Sequence, residues 1–144
     1  MRVRQVEAGA THDLRRRVLR GHLPGASVEY PDDDCPGTVH LALEDADAAV
    51  VAIATTFPEA TPHRPGARAT RLRGMAVDPL WQGRGVGARL LEAVVDRARR
   101  DGYEVLWANG RDVALGFYAR HGWEVVGEGF EAIGLPHHVV VLDL

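Results

Sequence analysis

A glycine-rich turn near the middle of the chain has the residue types of an anion-binding site. Gly83, Gly85 and Gly87 alternate within five residues, directly before a segment with strong helical periodicity. A helix N-terminus offers unpaired N–H groups and the positive end of the helix dipole, and glycines let a phosphate approach that backbone. Residues 79–91 include two arginines and no acid. The spacing therefore favours an anionic ligand, with an ordinary tight strand-to-helix turn as the alternative.

Two phosphate-binding motifs can be compared with this turn. Gly83-x-Gly85-x-x-Ala88 satisfies the loose dinucleotide pattern. That fingerprint belongs to the first βαβ unit of a doubly wound sheet, and only 56 residues follow Ala88. The Walker pattern requires a lysine, whereas all 17 cationic side chains here are arginine. The sequence excludes a P-loop and disfavours a small nucleotide-binding oxidoreductase.

The turn lies between a predicted strand and the best-patterned helix of the chain. Over Val86–Arg100 the apolar residues recur at helical spacing. A shorter helix is predicted to begin after Thr11 as its N-cap, with Leu14 and Val18 as an apolar stripe between four arginines, at positions 15, 16, 17 and 20. A third helix is predicted at Asp112–His121.

Short apolar segments elsewhere predict the strands. They are Val3–Val6, Val39–Glu44, Ala48–Phe57, Thr70–Val77, Tyr103–Ala108, Trp123–Val126 and His137–Leu144. The glycine-rich residues 127–136 are predicted to form an irregular turn, and Gly74 marks a bulge or a close backbone approach. The order of elements predicts a mixed α+β sheet of about seven strands with one βαβ unit.

Composition narrows the class of protein. A chain of 144 residues with 46% hydrophobic residues and a formal charge of −3 is typical of one compact domain over residues 1–144. The single Cys35 forms no internal disulfide and there is no metal-ligand spacing of Cys, which favours a cytoplasmic protein without metal. Residues 1–10 have no signal-peptide pattern, and the longest apolar stretch, 48–54, is too short to span a membrane. The charge balance argues against a nucleic-acid binder.

Two motifs carry a resemblance to a known family. Gln82-Gly83-Arg84-Gly85-Val86-Gly87 resembles the Q/R-x-x-G-x-G/A signature of the GNAT superfamily of N-acetyltransferases, and residues 114–123 are similar to its A-x-x-[LF]-Y-x-x-x-G-F segment. Residues 127–137 resemble the ElaA-like branch. The resemblance covers essentially the whole chain, although the first 60 residues match only in element order. It implies a mixed, mostly antiparallel sheet of about seven strands with helices on both faces.

The resemblance implies acetyl-CoA as co-substrate, with its pyrophosphate on the glycine turn and its pantetheine arm along the preceding strand. Met75 and Val77 would supply main-chain contacts to the arm. Family members often carry Asn seven residues before the motif tyrosine. Here that position is Arg111, and Asn109 lies two residues earlier, so both are predicted cofactor contacts. The pyrophosphate would bind backbone N–H groups of Gln82, Gly83, Arg84, Gly85, Val86, Gly87 and Ala88.

The resemblance also implies direct attack of an amine on the thioester, without a covalent enzyme intermediate, so Cys35 is not a required nucleophile. Tyr118 occupies the position of the general acid that protonates the CoA thiolate, because a tyrosine with a pKa near 10 keeps its proton at neutral pH. A core aromatic is the alternative reading of Tyr118. His137 is the predicted base or acceptor contact. The other candidates for the base are Glu128, Glu131 and His40.

The charges divide along the chain. Residues 64–100 hold nine arginines and three acids, a net charge of +6, whereas the remainder carries −9. The basic block brackets the proposed cofactor turn, and the acidic remainder would suit a cationic amine. The resemblance implies a small-molecule or peptide amine as the partner, and a homodimer is common in the superfamily. A non-catalytic acyl-CoA-binding or sensing domain is the alternative function.

Overall fold

The computed structural model describes all 144 residues, as seven strands and three α-helices joined by short 3₁₀ turns. The strands are β1 (Arg2–Val6), β2 (Val39–Glu44), β3 (Val50–Pro58), β4 (Ala69–Val77), β5 (Val105–Arg111), β6 (Glu124–Ala132) and β7 (Leu135–Asp143). The helices are α1 (His12–Leu14), α2 (Val86–Arg100) and α3 (Leu115–Arg120). A 3₁₀ turn, Ala8–Thr11, precedes α1, and a π-helical segment, Arg15–Leu19, continues it.

The strands form one sheet in the order β1-β2-β3-β4-β5-β7-β6. The pairs β1–β2, β2–β3, β5–β7 and β6–β7 are antiparallel, and β4 pairs with β5 in parallel. α2 lies between β4 and β5 in the sequence and connects them, as expected for a βαβ unit, because parallel neighbours need a crossover connection. The predicted mixed, mostly antiparallel sheet of about seven strands is confirmed.

The chain forms two compact units. The first, which we call the N-terminal unit, comprises residues 1–57 and 73–96. Leu14, Ile53 and Ala76 form a core cluster there, and half-buried apolar side chains pack around it. The second, the C-terminal unit, comprises residues 58–72 and 97–144. Its cluster contains Trp107 and Val141 together with two smaller residues from β4 and β5.

The first helix begins directly after Thr11, as predicted, but the Thr11 side chain does not cap it. Thr11 is fully buried and already helical, with φ −91° and ψ −15°, and its hydroxyl donates a hydrogen bond to Ala8 O at 2.6 Å. The side chain therefore closes the preceding 3₁₀ turn. Arg15, in the same segment, is fully buried.

The predicted irregular turn at residues 127–136 is also wrong. β6 continues through the glycines to Ala132, and only Ile133 and Gly134 separate it from β7. The register of β6 against β7 shifts between Val126 and Phe130, so Gly127 and Gly129 lie in an irregular part of the strand pair. A Cβ at Gly129 would lie 2.8 Å from the ring of His138, so glycine is needed there to leave room for an imidazole.

Candidate active site

The glycine turn has the open backbone that an anion requires. Gly83 and Gly85 both have φ +75°, a region that disfavours other residues, and no atom lies within 4 Å of the position that a Cβ would occupy at either. Residues 82–85 are exposed. α2 begins at Val86, which is buried and so fixes the helix N-terminus beside the turn. The turn thus presents exposed backbone at the positive end of a helix dipole.

Side chains around the turn fix its start. The carboxylate of Asp78 accepts a hydrogen bond from Leu80 N–H at 3.0 Å and one from Arg17 at 3.1 Å. The Leu80 N–H bond, and to a lesser extent Arg17, lower the pKa of Asp78 against the opposing effect of desolvation. Gln82 Nε2 donates to Val77 O at 3.3 Å. These contacts hold the exit of β4 in one conformation.

The two arginines of the turn differ in their partners. Arg84 stacks on the ring of Trp81 at 4.9 Å and forms no ion pair. Arg89 donates to Met1 O at 2.7 Å. Neither guanidinium is in an ion pair, and Arg84 is the one without a hydrogen bond to the protein, so it is free to turn toward a bound phosphate.

Met75 and Val77 lie in the last part of β4, and both are half-buried. Only residues 69–72 of β4 pair with β5 in a ladder. Met75 and Val77, the two predicted pantetheine contacts, therefore lie beyond the part of the strand that pairs with β5. Gly74, between them and the ladder, has φ +64°, and a Cβ there would lie 3.2 Å from the ring of Tyr30. The predicted close backbone approach at Gly74 is confirmed.

Tyr118 is buried in the C-terminal unit. Its ring lies 5.0 Å from that of Trp123 and 5.6 Å from that of Phe117, and a Cβ at Gly110 would be 3.3 Å from it. Burial raises the pKa of Tyr118 to about 12. The hydroxyl has no hydrogen-bond partner within the protein. Tyr118 is therefore a protonated phenol at every physiological pH, which a general acid requires, and its packing also fits a core role.

The predicted site residues of β5 and β7 divide between the two faces of the sheet. Gly110 pairs with His138, and Arg111 pairs with His137. Side chains alternate along a strand, so residues that pair directly share a face. The Tyr118 ring lies over Gly110 and hence on the His138 face. His137 and Arg111 share the opposite face, as does Asn109, so the structure does not bring Tyr118 and His137 together.

His137 is oriented by a hydrogen bond to the backbone. Its Nδ1 lies 2.8 Å from Leu135 O, and a carbonyl can only accept, so Nδ1 is the donor and the neutral tautomer has its lone pair on Nε2. The residue is only 5% exposed, and its ring stacks on Phe130 at 5.8 Å. His137, Phe130, Asp112 and Glu131 line a cavity of about 410 Å³ in the C-terminal unit.

A pair that the sequence analysis missed is His138 with Asp112. His138 Nδ1 lies 2.7 Å from the Asp112 carboxylate, so this imidazole too has its Nε2 turned away from its partner. The two residues are 26 apart in the sequence, and only the adjacent His137-His138 suggested that either imidazole has a role.

The other candidates for the base are not equivalent in the structure. His40 is buried in the N-terminal unit, where Nε2 donates to Asp33 O at 3.0 Å and Nδ1 contacts Thr55 Oγ1 at 2.7 Å. Both ring nitrogens are thus occupied, which argues against His40 as the base. Glu128 and Glu131 are exposed, and neither forms an ion pair or hydrogen bond.

The largest feature that the sequence analysis missed is the buried guanidinium of Arg15. It donates to Val28 O at 2.9 Å, to both oxygens of Asp33 at 2.7 and 2.9 Å, and to Thr55 Oγ1 at 3.0 Å. It also lies 3.9 Å from the centre of the Tyr30 ring. Desolvation would raise the pKa of Asp33, but hydrogen bonds from Arg15 and Tyr30 N–H lower it. This network holds residues 20–38, which form neither helix nor strand, against the sheet.

No group of three or more His, Cys, Asp or Glu side chains is arranged to hold a metal ion. None of the helices has the length and apolar character needed to cross a membrane.

Comparison with known proteins agrees with the fold. The family model described as "Acetyltransferase (GNAT) domain" matches residues 37–144. The uncharacterized N-acetyltransferase YitI of Bacillus subtilis (strain 168) is 30% identical over 141 residues, which cover 98% of this chain and 94% of YitI. The crystal structure of Escherichia coli ElaA has a TM-score of 0.80 at 17% identity, covering 98% of this chain and 99% of ElaA.

A third similar structure is that of an aminoglycoside 6'-N-acetyltransferase complexed with coenzyme A, with a TM-score of 0.80 at 13% identity. The match covers 99% of this chain and 97% of that one. At these identities the two structures show a shared fold, whereas the family model and YitI show the family. The chain therefore belongs to the GNAT family of N-acetyltransferases.

Proposed function

We propose that this protein transfers an acetyl group from acetyl-CoA directly to a primary amine, and that residues 1–144 act as a single acetyltransferase domain. The observation that carries the proposal is the turn at Gly83 and Gly85. Both have positive φ, and open space surrounds their backbone at the N-terminus of α2. The pyrophosphate would accept hydrogen bonds from backbone N–H groups of residues 82–88, and Arg84 would balance its charge.

The pantetheine arm would bind along the end of β4. Met75 and Val77 come after Leu72, the last β4 residue that pairs with β5. Their backbone is outside that ladder, which supports main-chain contacts to the arm. A backbone N–H of the same strand would donate to the oxyanion that forms when the amine attacks. Asn109 and Arg111, which share one face of β5, are the proposed further contacts to the cofactor.

Tyr118 and His137 lie on opposite faces of the sheet, so in the proposal they would act from opposite sides of the bound thioester. Tyr118 O–H would act as the general acid through a hydrogen bond to the CoA sulfur that strengthens as the C–S bond breaks, because its raised pKa keeps the phenol protonated. In the neutral imidazole of His137, Nε2 carries the lone pair that would take a proton from the acceptor ammonium before attack. The compartment proposed for this reaction is the reducing cytoplasm, given a single cysteine in the chain.

Calorimetric titration with acetyl-CoA and with NAD tests the cofactor. We expect acetyl-CoA to bind and NAD not to bind. Gly85→Ala should weaken acetyl-CoA binding at least tenfold, because the added Cβ occupies the approach of the phosphate. Gly66→Ala is the matched control: Gly66 has φ +76° and equally open surroundings, so it has the same backbone strain away from the turn. Equal affinities of the two variants would contradict the site.

Thiol release with a panel of amines tests the reaction. The panel includes peptide N-termini, lysine side chains, polyamines, aminoglycosides and small monoamines. Turnover with any of them supports an enzyme. Binding of acetyl-CoA without thiol release from any amine would favour the alternative of a non-catalytic acyl-CoA sensor.

A further inference from the structure

The cavity at the β6–β7 hairpin contains, besides the proposed base His137, side chains that have no part in the transfer step. It is lined by Asp112, Phe130, Glu131 and His137, together with two glycines and a proline, and its volume is about 410 Å³. Arg111, the register partner of His137, does not line it. The cavity is thus bounded by two carboxylates, a stacked aromatic pair and no cationic side chain.

The carboxylates of the C-terminal unit differ in whether a cation or an N–H donor is bound to them. Most of them have a partner: Glu59 has Arg71, Asp101 has Arg97, Glu104 has the Arg68 N–H, Asp112 has His138, and Glu124 and Asp143 share Arg64. Glu128 and Glu131 have none. Of these two, only Glu131 lines the cavity. An unpaired carboxylate at a cavity wall attracts a cation.

A second observation points to a ligand in the same cavity. His137 is more than nine-tenths buried, and its Nε2 lacks a partner while Nδ1 is bonded to Leu135 O. In the neutral tautomer with hydrogen on Nδ1, this unpartnered Nε2 can accept a hydrogen bond from an N–H donor in the cavity. Phe130 stacks on His137 and adds an aromatic face, which also attracts cations.

We propose that this cavity binds acceptors that carry two amino groups. One nitrogen donates to His137 Nε2 and is the amine that reacts, whereas the other remains charged and binds Glu131, with Asp112 adding to the negative field. The preferred acceptors are then short, flexible diamines rather than monoamines or peptides. This inference rests on the proposed acetyl transfer and adds the class of acceptor.

The test compares 1,4-diaminobutane with n-butylamine, which has the same carbon chain and lacks the second charge. We expect the diamine to have at least a tenfold higher kcat/KM, equivalent to about 1.4 kcal/mol, mainly through a lower KM. Glu131→Gln should remove this preference. Glu92→Gln is the control, since Glu92 is an exposed, unpaired glutamate on α2, and it should leave the preference unchanged. Diamines of two to six methylenes should give one optimum length.

Direct binding separates failure of this inference from failure of the proposed function. Calorimetric titration of 1,4-diaminobutane should give an affinity that Glu131→Gln weakens about tenfold and Glu92→Gln does not. Such binding without thiol release would keep the diamine site and overturn the acetyl transfer. Thiol release at equal kcat/KM for both amines, or binding that Glu131→Gln leaves unchanged, would overturn the diamine site.

Discussion

Replacing Tyr118 by Phe removes a single oxygen from a packed ring. The contacts with Trp123 and Phe117 depend on the ring, and the hydroxyl has no hydrogen-bond partner in the protein that its loss would leave unsatisfied. We therefore expect the free energy of unfolding to change by no more than about 0.5 kcal/mol. Affinity for acetyl-CoA should change by less than about twofold. Any loss of rate then reports on the proton that the hydroxyl donates.

The size of that loss follows from the pKa. Burial raises the pKa of Tyr118 to about 12, and a free thiol has a pKa of about 8.5. The difference, about 3.5 units, makes complete transfer of the proton to a thiolate unfavourable by about 5 kcal/mol. Tyr118 would then act mainly through a hydrogen bond that strengthens as charge develops on sulfur. The expected loss of kcat is about tenfold to a hundredfold, at or below the lower limit for general acid catalysis.

The assay is thiol release at saturating acetyl-CoA and amine between pH 6 and 10. Because the pKa of Tyr118 is raised, its phenol stays protonated over this range. The ratio of kcat in the original protein to kcat in Tyr118→Phe should therefore not vary with pH. Tyr103→Phe is the control, since Tyr103 contacts Arg68 and lies outside the proposed site. An unchanged kcat in Tyr118→Phe would refute the role of this hydroxyl and leave the residue as a core aromatic.

Three further predictions concern the buried network, β4 and the base. Arg15→Met should lower the free energy of unfolding at pH 7 by about 3–5 kcal/mol, because the carboxylate of Asp33 is left buried without its partner. In the unsubstituted protein, the stabilisation from the ionised Asp33 is present above a pH of about 4 and is lost as the pH falls through the lowered pKa of Asp33. Urea unfolding of both proteins between pH 3 and 7 measures the difference. A difference in unfolding free energy below about 1 kcal/mol at pH 7 would contradict the network. Gly74→Ala should destabilise by at least about 1 kcal/mol more than Gly66→Ala, because both have positive φ but only Gly74 would place a Cβ against a ring; equal urea midpoints would show that the contact relaxes. His137→Ala should lose amine-dependent turnover near neutral pH and regain it at high pH, where the amine is already neutral, so an unaltered pH–rate profile would remove His137 as the base.

The elements that the sequence predicted best are those with a strong local pattern. β2 and α2 have the predicted bounds, Val39–Glu44 and Val86–Arg100, because alternating and helical spacing of apolar residues decides both. The part of β6 after Val126 was missed because three glycines in residues 127–134 also signal a turn. Their role in the strand is to accommodate side chains that come from elsewhere, such as the ring of His138 against Gly129.

In the candidate site, too, features that depend on residues adjacent in the sequence were predictable, and features that depend on distant residues were not. The glycine turn was predictable because its conformation and its helix are adjacent in the sequence. The burial of Arg15 was not, because its partners Asp33 and Thr55 are 18 and 40 residues away and nothing in the sequence distinguishes it from its neighbouring arginines. The placement of Tyr118 and His137 on different faces depends on strand register, which the sequence pattern of β7 alone does not determine.

Arg15 also shows where the absence of lysine from this chain is a structural requirement. At exposed positions, arginine and lysine codons can replace one another over evolutionary time with little effect on folding. At position 15 the planar guanidinium reaches both oxygens of Asp33, a backbone carbonyl and a threonine hydroxyl, and stacks on Tyr30. A lysine ammonium concentrates its donors on one atom and has no flat face. A relative that encodes lysine here would need compensating changes at Asp33 and Tyr30, so covariation among these three positions is the signature to seek in related sequences.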